Sequence, residues 1–145
     1  MAVTLDKVKV GDAVPALKHT FSLEEMRLFS AWHKMDKYGH HSENQHTSEE
    51  VAKKLGRPAP VVQGLQVAFV AEEMLADYFG QQWYTTGKLS VRWIGMLLRG
   101  DTLTTKGRIL DVKPEAGGTR VEVEVWGENQ RGAQVMVGTG SARLA

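Results

Sequence analysis

A helical stretch that is apolar almost all round constrains this chain more than any other feature. Residues 61–79 follow Pro58 and Pro60 and stop at Gly80. Their first half carries Val62, Leu65, Val67, Phe69 and Val70, and the pattern turns amphipathic only at Glu72 and Glu73. Roughly 18 helical residues span about 27 Å. In a chain of 145 residues, 24% of them charged, such a helix has to be wrapped by something. The C-terminal half of the chain supplies the wrapping. Leu89, Val91 and Trp93 alternate with Ser90 and Arg92, and a turn at Arg99-Gly100-Asp101 leads to a strand over 103–112. Gly117 and Gly118 turn the chain into Val121, Val123 and Val125, which alternate with Glu122 and Glu124; after 129–132 a last strand covers 133–144. Four strands at hairpin spacing predict a meandering antiparallel sheet around the helix, in one α+β domain over residues 1–145.

The front of the chain carries two helix starts. Ser22-Leu-Glu-Glu25 reads as a capping box, with the Ser22 hydroxyl accepting from an early N–H and Glu25 reaching back. It predicts a helix with Met26, Phe29 and Trp32 on its apolar face, ending before Gly39. Thr47-Ser-Glu-Glu50 opens a second, two-turn helix through Val51, Ala52 and Leu55 to Gly56; Lys53 and Lys54 oppose the helix dipole in its last turn. Composition narrows the function classes. With 18 Lys+Arg against 17 Asp+Glu, scattered among each other, the net charge is +1 and no nucleic-acid footprint forms. The absence of cysteine excludes disulfides, thiolate metal sites and Cys nucleophiles, and fits a reducing cytosol. Asp6 and Lys7 stand where a signal peptide needs an apolar run, and the longest apolar run, 67–71, is too short for a bilayer, so a soluble, cytoplasmic protein is expected.

A long buried helix wrapped by an antiparallel sheet is the description of the hotdog fold, and four stretches resemble one family that has it. Val10-Gly11-Asp12 precedes a capped helix. His46-Thr-Ser-Glu-Glu-Val-Ala52 is similar to a His-x-Asp-Pro-Glu-x-Ala pattern, and Pro60-Val-Val-Gln-Gly64 to Pro-Ile-x-His-Gly. Arg99-Gly100-Asp101-Thr102-Leu103 is similar to Pro-Gly-Asp-x-Leu. In order and spacing, over nearly the full length, the chain resembles the MaoC-like dehydratases and (R)-specific enoyl-CoA hydratases. The family's catalytic loop, Asp-x-Asn-Pro-x-His, is altered. Aligned on His46 without gaps, His41 takes the place of the Asp and Glu43 that of the Asn; aligned on Gly39, His40 takes the Asp position and one residue is inserted before His46. Neither restores an aspartate, and the nearest, Asp36, lies ten positions before His46.

The resemblance implies a hydro-lyase acting on acyl thioesters: dehydration of a 3-hydroxyacyl group carried on coenzyme A or a carrier protein, and the reverse hydration of a 2-enoyl thioester. That chemistry needs a base for the α-proton, an acid for the leaving hydroxyl and donors for the developing enolate. His46 matches the proton-transferring residue; it also stands just before the Thr47 cap, a purely structural place. The second group stays open among His41, Glu43, His40 and Asp36. Gly64 matches the oxyanion donor, where a helix N-terminus offers free N–H groups; the same glycine also suits tight helix packing. Gln63 stands where the family has His and can orient a neighbour, and Asn44 can donate to a substrate oxygen. Arg92, Arg99, Lys106 and Arg108 are candidates for gripping the phosphates of coenzyme A or a carrier arm, and otherwise are solvated strand charges. His33, His40, His41 and His46 crowd together, but in no standard ligand spacing, so no metal and no cofactor beyond the thioester carrier is expected.

Sheet edges and an apolar helix end predict a homodimer or a dimer of dimers, or a heteromer with a MaoC-like chain whose loop is intact. Trp83, Tyr84 and Trp93 are read as core or interface residues. Two other functions compete: an acyl-binding or partner-dependent subunit without chemistry of its own, suggested by the lost aspartate, and thioester hydrolysis using Glu72 or Glu73.

Overall fold

A computed structural model describes residues 1–32 and 43–145. The helices are α1 (Leu23–Trp32), α2 (Glu49–Lys54), α3 (Gly64–Phe79) and α4 (Gln81–Thr86). The strands are β1 (Ala13–Thr20), β2 (Lys88–Trp93), β3 (Thr102–Glu115), β4 (Gly118–Glu128) and β5 (Gln134–Leu144). Among the described residues these strands form one five-stranded antiparallel sheet in the order β1-β3-β4-β5-β2.

Alternation builds the middle of that sheet. Leu103, Thr105 and Ile109 of β3, Val121, Val123 and Val125 of β4, and Met136, Ala142 and Leu144 of β5 point inward and are buried. Against them lies the buried face of α3, formed by Val67, Val70, Ala71, Met74, Leu75 and Phe79. The helix is not wrapped all round: Leu65 is 54% and Phe69 48% exposed. At its far end Gly80 takes φ +61°, a left-handed conformation that costs a side-chain-free residue little, and α4 begins at once. Buried Trp83 anchors that short helix by stacking on Phe79 with 6.3 Å between ring centres.

The structure departs from the sequence expectations elsewhere too. The strand after the long helix does not form a hairpin with the next one: β2 pairs with β5, from Lys88 opposite Ser141 to Trp93 opposite Met136, at the far edge of the sheet. Residues 94–101 therefore cross the end of the sheet to reach β3. The extra strand β1 covers the other edge, where Pro15 and a register shift between Val14 and Leu17 obscure its alternation. The long helix starts at Gly64 rather than at 61, because 60–62 is held extended by bonds from Arg99 N–H to the Pro60 carbonyl (2.8 Å) and from Val62 N–H to the Leu97 carbonyl (2.8 Å). In α1, Ser22 Oγ accepts from Glu25 N–H (3.1 Å), but the Glu25 carboxylate does not reach back; it lies 2.6 Å from His19 Nε2, a stronger, charge-assisted partner. For α2 the cap is Ser48, whose hydroxyl accepts from Val51 N–H, while the Thr47 hydroxyl accepts from Asn44 N–H.

Candidate active site

The crossing segment 94–101 forms a strap over the N-terminal end of α3. Asp101 holds its turn closed: buried, it accepts from Leu98 N–H (2.9 Å) and from Gln130 Nε2 (2.7 Å) of the β4–β5 loop. The strap in turn holds 60–62, and 60–62 holds the turn at 44–47. There, Asn44 Oδ1 accepts from His46 N–H at 2.8 Å, an Asx turn that sets the backbone of His46. Arg27 of α1 adds a bond from Nε to the Thr47 carbonyl at 2.9 Å.

Val61 is committed at both backbone groups. Its N–H donates to the Gln45 carbonyl at 2.9 Å, and its carbonyl oxygen lies 2.6 Å from His46 Nδ1. A carbonyl only accepts, so Nδ1 carries the proton, and in the neutral form of the ring the lone pair is at Nε2. Three residues later α3 begins. Its first closed bond runs from Val67 N–H to the Gln63 carbonyl at 3.2 Å, which leaves the N–H groups of Gly64, Leu65 and Gln66 without an acceptor within the helix. His46 and Gly64 line the same cavity of about 260 Å³, whose other walls include Val62, Val67, Met96, Leu97 and Val135. In such apolar surroundings the interactions of an imidazole and a helix N-terminus with a carbonyl group would be stronger than in water.

Trp93 closes the cavity on the β2 side. Its Nε1 donates to the Gly64 carbonyl at 2.7 Å, and a Cβ added at Gly64 would come within 2.7 Å of the indole Cε2. The glycine is thus required by the tryptophan that lies on it. Sequence reasoning misses this contact: alternation places Trp93 at the end of a strand but does not say which helix end it covers.

The other residues singled out from the sequence are spread more widely. Gln63 donates from Nε2 to Ser30 Oγ at 2.8 Å, tying the start of α3 to α1. Asn44 uses its oxygen in the Asx turn, and its buried Nδ2 has no partner among the described residues. Glu43 is exposed and does not line the cavity. Asp36, His33, His40 and His41 lie outside the described residues. Arg99 pairs with Glu49, Lys106 with Glu128 at 2.7 Å and Arg108 with Glu124 at 2.7 Å, so three of the four phosphate candidates already hold carboxylates; Arg92 is exposed. Glu72 lines a groove with α4 and β2, and Glu73 lines another beside His19 and Phe29. Glu72 stands about 12 Å along the helix from Gly64 at 1.5 Å per residue, so neither glutamate shares the His46 cavity. Among the described residues no group of three His, Asp or Glu side chains is placed to hold a metal ion, and no helix is long and apolar enough to cross a membrane.

No family model matches this chain, and none of the curated proteins does. Solved structures do. The (R)-hydratase from A. caviae involved in PHA biosynthesis superposes with a TM-score of 0.74 at 17% identity, over 96% of this chain and 98% of that one. A MaoC-like dehydratase from Rhodospirillum rubrum gives 0.75 at 18%, over 99% of each chain. This chain has the hotdog fold. A chain of the ChsH1-ChsH2 complex from Mycobacterium tuberculosis, at 0.73 and 18% over 94% of this chain and 98% of that one, has the same fold. In the hotdog, α3 is the central helix, and the His46 cavity lies at its N-terminal end under the strap.

Proposed function

We propose that this hotdog protein is a hydro-lyase that adds water reversibly to 2-enoyl thioesters, and so dehydrates 3-hydroxyacyl thioesters carried on coenzyme A or a phosphopantetheine arm. The observation that carries the reading is the shared cavity: an imidazole held at Nδ1 by the Val61 carbonyl and the first residue of α3, whose N–H has no acceptor within the helix, line one apolar space.

In the hydration direction, His46 Nε2 takes a proton from water as the water oxygen bonds to C3. The C2–C3 π electrons move toward the thioester, and the resulting enolate oxygen is held by the Gly64 N–H. The enolate re-forms its C=O as C2 takes a proton, from the His46 imidazolium or from a second acid. The sequence candidates for that acid are His41, His40 and Asp36, which lie outside the described residues, whereas Glu43 does not line the cavity. The thioester itself supplies the electron sink, so the reaction calls for no cofactor or metal. The open edge of β2 supports a homodimer or dimer of dimers.

Two observations favour a second reading. Among the described residues no carboxylate lines the His46 cavity, and the fold is shared with a chain from a two-protein complex, which supports a partner-dependent or acyl-binding subunit. One assay separates the two: loss of enoyl-thioester absorbance with short, branched and aromatic 2-enoyl-CoAs, run beside His46→Ala. Turnover that disappears in the variant supports the hydro-lyase. No turnover by the purified chain alone rejects it in favour of the subunit role.

A further inference from the structure

We propose that Trp93 sets the length of acyl group the site accepts, restricting it to short chains. The inference rests on the hydro-lyase reading and names the substrate class within it. Two cavities meet at this residue. On one side is the His46 cavity of about 260 Å³; on the other is a groove of about 480 Å³ along α3, walled by Leu65, Phe69, Leu89 and Val91, with Glu72 in its lining. Trp93 lines both.

The indole is a fixed partition. Its ring lies so close to Gly64 that no room is left for even a methyl group between ring and helix. The cavity's Val62, Val67, Leu97 and Val135 belong to the buried core, whereas Trp93 is 48% exposed at the edge of the sheet. It is therefore the wall that can be removed without opening the core. An acyl group whose carbonyl sits at Gly64 has the small cavity to fill. A longer chain has to pass position 93, beyond which the groove offers apolar walls. With the ring in place the indole stands between the two spaces.

The test compares wild type, Trp93→Ala and Trp93→Phe for kcat/KM on crotonyl-CoA and 2-dodecenoyl-CoA, with thermal unfolding to confirm that each is folded. Trp93→Ala is expected to raise the dodecenoyl-to-crotonyl ratio by about tenfold or more, within the discrimination that apolar pocket volume supplies. Trp93→Phe, which keeps an aromatic ring and loses only the Nε1 bond, is expected to stay near the wild-type ratio. An unchanged ratio in Trp93→Ala overturns the proposal, as does an equal shift in Trp93→Phe, which would assign the effect to the hydrogen bond. Calorimetric titration with butanoyl-CoA and dodecanoyl-CoA reads the same partition without turnover. If wild type hydrates nothing yet Trp93→Ala alone gains dodecanoyl-CoA binding, the hydro-lyase reading falls and the Trp93 proposal stands. Equal dodecanoyl-CoA binding by all three proteins, or binding by none, sinks it.

Discussion

The β3–β4–β5 meander and the strap with its neighbouring turn are held together by opposite means. In the meander, side chains do the specifying: inward Leu103, Ile109, Val121, Val123, Val125 and Met136 bury themselves against α3, and the hairpin register is set by their alternation. At the strap, backbone groups do it. Pro60, Val61, Val62, Leu97 and Arg99 are joined through peptide N–H and carbonyl groups, and His46 is aimed by the carbonyl of Val61 rather than by a side chain. The core of this protein is written in residue types, its site in main-chain positions.

That contrast can be broken by experiment. The largest expected effect is on the meander side: Leu103→Ala, at a fully buried position, should cost about 2–5 kcal/mol in urea unfolding while leaving activity per folded molecule unchanged. A loss of specific activity in the folded fraction would show that the sheet core and the site are coupled. On the strap side, His46→Ala should lower enoyl-CoA hydration by about 10² or more, about 2.7 kcal/mol in barrier, at a stability cost of only about 1 kcal/mol for the bond to Val61. Retained activity in the folded variant would reject His46 as the proton carrier.

Asp101 joins the two regions, since it bonds both Leu98 and Gln130. Asp101→Ala should therefore lower stability, by about 1–3 kcal/mol, and activity together, read by unfolding and by turnover on one preparation. A loss confined to either would place the residue in one region only. The smallest effect is a pH dependence of the meander. The hydrogen bond from Lys106, then that from Trp126, holds the Glu128 carboxyl below the ordinary glutamate range. A carboxylate depressed in the folded state contributes stability that is complete above its unfolded value and disappears as pH falls through the folded one. Acid unfolding curves of Glu128→Gln should accordingly be flatter than wild type in that window; superimposable curves would show that the pair adds nothing to acid stability.

The same contrast explains what could be read from the sequence. The long helix, its stop at Gly80, three hairpin-joined strands and the hotdog arrangement are legible because apolar periodicity and glycine turns encode them. The placement of β2 is not, since Leu89, Val91 and Trp93 alternate equally well beside β3 or β5. Strand β1 is masked by Pro15 and its bulge, and α4 by a polar sequence with no capping signal beyond Gly80. In the site, the structure brings His46 and Gly64 to one cavity. The bond from His46 to Val61, and the indole over Gly64, have no signature, because a main-chain oxygen looks alike in every residue.

The doubly committed peptide of Val61 has a consequence for how this protein tolerates change. The imidazole and the first N–H groups of α3 are both measured from one stretch of main chain, so a tilt of the strap carries them together and leaves their separation intact. Position 61 can then accept other small apolar side chains that keep its place in the cavity lining, although the peptide there is the datum for both reactive groups. Its importance would emerge only from a replacement that alters the main chain itself, such as an ester in place of the Val61 amide.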